Sequence, residues 1–401
     1  MDFRLTEGQD NALQMVDWFI KNAAPPARAV LTGYSGTGKT TILRVLASQH
    51  GPPVVLAPTG KAALRVTEAT GLHAVTAHRW LYKAVERDDG EMAFVRRDVF
   101  ELEIPENKLI VVDESSMLTS DVWEDLWDAC LVANVKILLV GDPYQLPPVE
   151  KEDGDQNFNA LGIQTYFRAH LDEVMRQALG SPVLRAATMI RSGQPYSNAL
   201  EPLNWILSSD VERKSCEVYA QGGMVICHKN DTRHMLNSVI REASGLSGDV
   251  VSGEPLMVTK NNYDLELFNG ETVKLEEWVE KPDSTVYVYD RFAGTKANLH
   301  IGIAKLANGT TATVCAEQIS GHKLDVSARS IEKAAKRAMG KTPFLHANLG
   351  YAMTCHKAQG SQAPVGVVFI EGSVRPNTYM GRRWVYTAVS RFVDDVYYSM
   401  V

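Results

Sequence analysis

Short continuous apolar runs at residues 29–32, 53–57, 109–112 and 135–140 punctuate the first part of the chain, each followed by a loop of glycines or polar residues. Apolar runs without alternation fit strands covered on both faces, the pattern of a parallel sheet between helical layers. From Thr41 to Gln49, Ile42, Leu43, Val45 and Leu46 recur at helical spacing, which predicts a helix. The pattern therefore predicts an α/β domain over residues 1–180. It breaks at 82–107, where the charged stretch Glu86 to Glu91 contains Asp88-Asp89-Gly90 and is flanked by Tyr82, Val85, Phe94 and Val95. That arrangement predicts a small inserted β-hairpin.

A second α/β pattern follows. Its parts are the strand-like Met224-Val225-Ile226-Cys227, a helix over Asn230 to Glu242, and apolar runs at Phe344 to Thr354, Val365 to Ile370 and Asp395 to Met400. Residues 271–325 are rich in Val, Thr and Tyr, with turns at Pro282-Asp283 and Asn308-Gly309. The expectation is a second α/β domain over 181–401, interrupted by a β-rich insertion over 271–343.

Composition narrows the function classes. The formal charge is −7, from 41 basic and 48 acidic residues, so a uniformly basic nucleic-acid binder is excluded while a local basic groove is not. The five cysteines (Cys130, Cys216, Cys227, Cys315, Cys355) show no Cys-x-x-Cys spacing, which argues for free thiols rather than a disulfide or zinc framework. The apolar runs are too short to span a bilayer and the N-terminus has no signal-like core. A soluble cytoplasmic protein without membrane partners is expected.

Gly33-Tyr34-Ser35-Gly36-Thr37-Gly38-Lys39-Thr40 follows the first apolar run and is a complete phosphate-binding loop. Its glycines let backbone N–H groups turn onto a polyphosphate, Lys39 reaches the outer phosphates, and the Thr40 hydroxyl suits Mg²⁺. Leu109 to Val112 ends in Asp113-Glu114, two carboxylates at a strand end: Asp113 suited to the metal, Glu114 to orienting an attacking water. Val135 to Val140 leads into Gly141-Asp142-Pro143-Tyr144-Gln145-Leu146-Pro147-Pro148, where Gln145 is a neutral, forked sensor for a γ-phosphate. Arg329, Lys333, Lys336, Arg337 and Lys341 recur near helical spacing, as either a phosphate guide or a solvated helix face.

In order, these and further segments resemble the motifs of superfamily 1 helicases of the RecD/Dda type, the 5′-to-3′ branch. Leu5-Thr6-Glu7-Gly8-Gln9 resembles the adenine-reading segment, with Gln9 as the base contact. Ala57-Pro58-Thr59-Gly60-Lys61 and Thr76-Ala77-His78-Arg79 resemble single-strand contact loops, and Arg176-Gln177 a segment that sends an arginine to the γ-phosphate. Tyr351 to Gly360 and Tyr386-Thr387-Ala388-Val389-Ser390-Arg391 resemble the last two motifs, although Gln362 and Ser390 stand where relatives commonly carry an acidic residue and a threonine.

The resemblance implies two RecA-like P-loop NTPase domains with parallel sheets, a hairpin insertion in the first and a β-rich, SH3-like insertion in the second. It implies nucleotide contacts from Gln9, Gly36, Thr37, Gly38, Lys39, Thr40, Thr41 and Gly360, with Asp113 beside Thr40 at Mg²⁺. Lys39, Glu114, Gln145, Arg176 and Arg391 would carry ATP hydrolysis. Pro58, Thr59, Lys61, His78, Thr354 and His356 would hold a DNA strand, with His78 alternatively structural. Phe94 is either a wedge or part of the hairpin's own core.

The implied activity is ATP- and Mg²⁺-dependent DNA unwinding with 5′-to-3′ translocation. The alternatives are a strand-stimulated ATPase that remodels protein–DNA complexes or anneals strands, and a small-molecule phosphotransferase. Single-stranded and forked DNA are the expected partners of a monomeric chain, with a single-strand-binding or replication protein beside them.

Overall fold

The computed structural model describes residues 5–86, 92–150, 155, 158–173, 180–246, 250–262, 264–281, 285–375 and 377–401. The proposed hairpin turn Asp88-Asp89-Gly90, the Pro282-Asp283 turn and Arg176-Gln177 lie outside these residues. The chain forms two compact units. The first comprises Met1–Leu203, Gln359–Gln362 and Val374–Asp395, and the second Asn204–Ala358, Ala363–Ser373 and Val396–Val401.

In the first unit, α1 (Glu7–Asn22) precedes β1 (Ala27–Gly33), α2 (Lys39–His50), β2 (Val54–Ala57), α3 (Gly60–Thr70), β3 (Ala74–Thr76) and α4 (Ala77–Leu81). The hairpin strands β4 (Tyr82–Glu86) and β5 (Met92–Arg96) form their own two-stranded antiparallel sheet. Then come β6 (Leu109–Val112), α5 (Ser120–Ala133), β7 (Lys136–Gly141), β8 (Phe167–Leu171), α6 (Pro182–Arg191) and α7 (Tyr196–Ala199). The main sheet has the order β3-β2-β6-β7-β1-β8, and every pairing in it is parallel.

The continuous apolar runs are explained by two-sided burial. Ile110, Val112, Ile137 and Leu139 face Trp80, Trp123 and Leu126 of α4 and α5. The alternating residues Leu109, Val111, Leu138 and Val140 face Val16, Phe19, Ile42 and Leu46 of α1 and α2. Both faces of each strand are apolar because each is covered by helices. Since the strands are parallel, the loops after β1, β2, β6 and β7 all emerge at one edge, where open α/β sheets bind ligands.

The second unit begins with β9 (Asn204–Trp205), α8 (Val211–Ala220), β10 (Met224–Cys227) and α9 (Asn230–Ala243). An antiparallel sheet follows, from β11 (Pro255–Val258), β12 (Thr272–Glu280), β13 (Thr285–Asp290), β14 (Thr295–Leu306) and β15 (Thr311–Cys315). After α10 (Ala316–Ser320) and α11 (Ala328–Met339), β16 (Ala347–Leu349) closes that sheet against β11. The antiparallel sheet thus reaches beyond residues 271–343 at both ends. All four residues of β11 are buried, so the strand shows no alternation that would mark it as antiparallel.

Next come β17 (Ala352–Thr354), α12 (Cys355–Ala358), β18 (Ala363–Ile370), α13 (Tyr379–Val389) and β19 (Phe392–Met400). The unit's other sheet has the order β17-β10-β18-β19-β9, with β10 parallel to both β17 and β18. One core joins the two sheets of this unit, running from Val225, Cys227 and Val367 to Leu256, Leu275, Leu306 and Val314. The chain crosses between units several times near its end. For that reason α13, with Arg391 just beyond it, belongs with the first unit although it follows the second in sequence.

Candidate nucleotide and strand sites

The loop after β1 is shaped by its glycines. Gly38 has φ +89°, and a Cβ there would collide with the Gln9 side-chain nitrogen. Lys39 opens α2 and donates from Nζ to the carbonyls of Gly33 (2.7 Å) and Tyr34 (3.0 Å), so its ammonium lies inside the loop. Thr37 donates from Oγ1 to Tyr34 O at 2.8 Å. Thr40 and Thr41 stand in the first turn of α2, and Gly36 sits in the loop with φ +78°. The start of α2 thus combines exposed N–H groups with a positive helix end, suited to an anion.

Gln9 serves two structural ends at once. It forms a capping box with Thr6 at the start of α1, and its Nε2 donates to Thr37 O at 3.0 Å. The adenine-reading candidate therefore lies directly on the phosphate loop.

Asp113 and Glu114 leave the end of β6 and are both buried. Glu114 adopts φ 51°, ψ 33°, a left-handed conformation uncommon outside glycine and often found at functional positions. Burial and the adjacent Glu114 carboxylate push the Asp113 carboxyl up from its usual range, while Lys39 pulls it down. Burial pushes Glu114 up as well, but the charges of Arg391, Arg65 and Lys39, with the Gln145 side chain, outweigh it and hold that carboxyl below its ordinary value. Glu114 is thus the lower-titrating carboxyl of the pair.

The loop after β7 carries Asp142 and Gln145, both buried. Tyr386 on α13 donates to Asp142 Oδ2 (2.6 Å) and accepts from the Ser35 N–H of the phosphate loop (3.1 Å). Arg383 Nε donates to Gln145 O at 2.8 Å, Leu146 N donates to Thr387 Oγ1 at 2.9 Å, and Gln359 Nε2 donates to Leu146 O at 3.0 Å. Arg391 is only 2% exposed, and its guanidinium also donates to Thr387 O and Ser390 Oγ. A buried arginine near a buried carboxylate pair is costly unless its charge is used. Gly360 has φ +77°, and a Cβ there would come within 3.2–3.4 Å of Ala62, so this segment lies against the start of α3.

The structure thus gathers Lys39, Asp113, Glu114, Gln145 and Arg391 at one sheet edge of the first unit; Arg176 lies outside the described residues. The sequence pattern alone left out Arg65, which pairs with Glu114 at 3.3 Å, and the Tyr386–Asp142 and Arg383–Gln145 links. Among the described residues no cluster of three or more His, Cys, Asp or Glu side chains could hold a metal by itself. A Mg²⁺ shared with nucleotide phosphates needs only one or two protein ligands, which Thr40 and the buried Asp113 would supply.

The strand candidates fall in both units. In the first, Pro58 precedes Thr59, whose Oγ1 caps α3 by accepting from Ala62 N at 3.2 Å; Lys61 lies in the same first turn. His78 packs its ring against Tyr82 (4.5 Å) and edge-on against Phe94 (5.0 Å), while Phe94 is 46% exposed. His78 and Phe94 therefore belong to one aromatic cluster at the hairpin.

In the second unit, Thr354 ends β17 beside Cys227 at the end of β10, and His356 follows in α12. Burial and the nearby His228 push the His356 imidazole down. Burial and Arg233 push the Lys357 ammonium down to about 8. Glu371 accepts from the N–H groups of His228 (2.6 Å) and Lys229 (2.8 Å) and from Thr232, fixing the entry to α9. His228 thus lies near His356 and Arg233 near Lys357, with Lys229 next to them in the chain as the N-cap of α9.

Comparison with known proteins agrees with this geometry. Residues 5–208 match the family described as AAA domain, and residues 349–392 the UvrD-like helicase C-terminal domain. The ATP-dependent RecD2 DNA helicase of Deinococcus radiodurans is 31% identical over 91% of this chain and 46% of its own length. The RecBCD enzyme subunit RecD of Mycolicibacterium smegmatis is 28% identical over 92% of this chain and 68% of its own length. The chain therefore spans about half the length of the first of these relatives and about two thirds of the second. A solved structure of the Pif1 helicase from Bacteroides, in complex with ADP-AlF3 and single-stranded DNA, aligns with TM-score 0.59 at 15% identity, over 99% of this chain and 93% of that one. Pif1 helicase from Candida albicans aligns with TM-score 0.52 at 18% identity, over 99% and 94%. At such identities the two structures speak for the fold alone.

Proposed function

We propose, on the premise that this chain belongs to the AAA-domain family and with it to the superfamily 1 helicases of the RecD/Pif1 type, that it is an ATP-dependent DNA helicase translocating 5′ to 3′. The observation that carries the proposal is the meeting of Lys39, Glu114, Gln145 and Arg391 at the sheet edge that ends in Asp113. Lys39 would bind the outer phosphates, with the loop N–H groups and the start of α2 holding the rest. Mg²⁺, held by Thr40, Asp113 and the phosphates, would supply charge neutralisation during phosphoryl transfer.

Glu114, ionised and buried, would accept a proton from an attacking water, and Gln145 would orient that water. Arg391 would stabilise charge on the transferring group. The Tyr386 hydroxyl, joined to both Ser35 and Asp142, would tie the phosphate loop to the sensor loop.

Hydrolysis would drive steps along a single strand; the candidate contacts are Pro58, Thr59, Lys61 and His78 in the first unit and, taken separately, Thr354 and His356 in the second. Backbone-tracking cations and stacking rings are the usual means of holding single strands without sequence preference. The deciding experiment is ATPase and unwinding on forked, 5′-tailed and 3′-tailed duplexes. Strand-stimulated turnover with unwinding from the 5′ tail is expected. Unwinding from 3′ tails alone would overturn the polarity, and ATPase indifferent to single strands would overturn the motor.

A second reading, a translocase that does not unwind, is favoured if the hairpin is no wedge. Phe94 is held by His78 yet half exposed, so Phe94→Ala separates the two. For a wedge, unwinding falls while strand-stimulated ATPase persists; for a translocase, the unaltered chain shows strand-stimulated ATPase without unwinding, and Phe94→Ala leaves that ATPase unchanged.

A further inference from the structure

The proposed strand contacts and the proposed water-activating carboxylate are joined by one short helix. β2 and β6 are neighbours in register (Leu56↔Val112), and Asp113 N donates to Leu56 O at 2.9 Å. Their parallel ends therefore deliver two things to the same place: the start of α3, and the Asp113-Glu114 pair. α3 carries Thr59 as its cap and Lys61 in its first turn. Four residues past Lys61, on the same helical face and about 6 Å further along the axis, stands Arg65.

Arg65 Nη1 meets Glu114 Oε1 at 3.3 Å, with the guanidinium 37% exposed and the carboxylate nearly buried. The second oxygen, Oε2, is buried and makes no hydrogen bond among the described residues. Arg65 thus tethers one oxygen of a carboxylate that the Gln145 side chain also approaches, on a residue whose backbone is already held at φ 51°. A tethered carboxylate of this kind points in a direction set by its partner. Here the partner rides on the helix that begins at Thr59.

We propose that Arg65 is a positioning residue that couples strand binding at the first turn of α3 to the orientation of the Glu114 carboxylate. A phosphate seated on Thr59 and Lys61 fixes the helix start, and the rigid turn between Lys61 and Arg65 carries that constraint to the Glu114 side chain. The strand then acts on turnover through an existing ion pair, without touching the nucleotide. The inference rests on the helicase reading above, in which Glu114 activates water and α3 touches the strand.

The test uses the full chain and an oligo-dT strand with ATP. In Arg65→Ala the strand-stimulated kcat should fall by roughly ten- to a hundred-fold, the usual cost of losing a partner that orients a working group. KM for ATP and the affinity for oligo-dT should stay within about two-fold, and the strand-independent rate should change far less than the stimulated one. Arg65→Lys, which keeps a charge on a stem of similar reach but loses the planar fork, should recover part of the stimulation.

Equal loss of both rates with no recovery in the lysine variant would mean a merely structural role and overturn the coupling. A strand-independent rate above the parent's would overturn it too, because Arg65 would then be a brake. Unchanged stimulation in Arg65→Ala would also end it, while leaving the helicase reading intact. If the unaltered chain shows no strand stimulation at all, it is the helicase reading that fails.

Discussion

The two units present the same kind of edge with opposite chemistry. In each, parallel strands end together and a helix starts from the loop that follows: β1 into α2 in the first unit, β10 into α9 in the second. The first unit's edge is built on buried acids, with Asp113, Glu114 and Asp142 near Lys39 and the Arg65 and Arg391 guanidinium groups acting on Glu114. The second unit's edge is basic: His228, Lys229, Arg233, His356 and Lys357 have Glu371 among them, and Glu371 is occupied with the backbone at the start of α9. Acids around a phosphate loop suit a nucleotide that brings its own metal. Bases without a metal suit a phosphate backbone. The fold sets where a ligand sits, and the few side chains at the edge decide which anion it is.

Arg391 carries the largest expected effect. If it neutralises charge on the transferring phosphoryl group, Arg391→Ala should lower kcat by about 10³- to 10⁵-fold, the range for arginines in that role, with nucleotide binding largely kept. Arg391 is fully buried, so melting temperature must be followed alongside. A loss of turnover matched by a collapse in melting temperature would assign it to folding instead. Next in size is Glu114→Gln, which removes the base while keeping the shape. Turnover should fall by roughly 10²- to 10⁴-fold while ATP and oligo-dT still bind, measured by nucleotide fluorescence and strand anisotropy. Retained turnover would move the base elsewhere.

A smaller effect sharpens the acidic edge. Tyr386→Phe removes the hydroxyl that serves both Asp142 and the Ser35 N–H, leaving a buried carboxylate short of one donor. A loss of about 1–3 kcal/mol in unfolding free energy is expected, read by denaturant titration. No change in stability would mean that Asp142 finds another donor and that the phosphate and sensor loops are not tied through this ring.

Much of the first unit was legible in the sequence, for a physical reason. Strands covered on both faces leave unbroken apolar runs, and β1, β6 and β7 announce themselves that way. β3 and β8 did not, being edge strands of three and five residues, the latter alternating in exposure. Within the candidate site, residues that act through local backbone geometry could be placed by spacing, as with Lys39 in its loop and Asp113-Glu114 at a strand end. Partnerships between distant positions left no such mark. Arg65 lies 49 residues from Glu114, and Tyr386 lies 244 from Asp142. Arg391 illustrates the same limit: its motif is readable, but the sequence order alone assigns it to the later α/β domain rather than to the first unit.

The finest test falls on the basic edge. Burial, with Arg233 adding to it, lowers the Lys357 ammonium to about 8, so its charge is present at pH 7 and lost as pH rises through that value. If Lys357 helps hold a phosphate backbone, affinity for oligo-dT should weaken between pH 7 and pH 9 by several-fold, on the order of one screened contact of ~1 kcal/mol. Lys357→Arg, which cannot lose its charge in that range, should flatten the profile. The acidic edge offers a control, because ATP affinity measured without a strand should not follow the same curve. A Lys357→Arg variant whose strand affinity still falls between pH 7 and pH 9 would place the titrating group elsewhere. The contrast between the two edges would then rest on the remaining bases, and not on His356, whose imidazole is pushed down by burial and by His228.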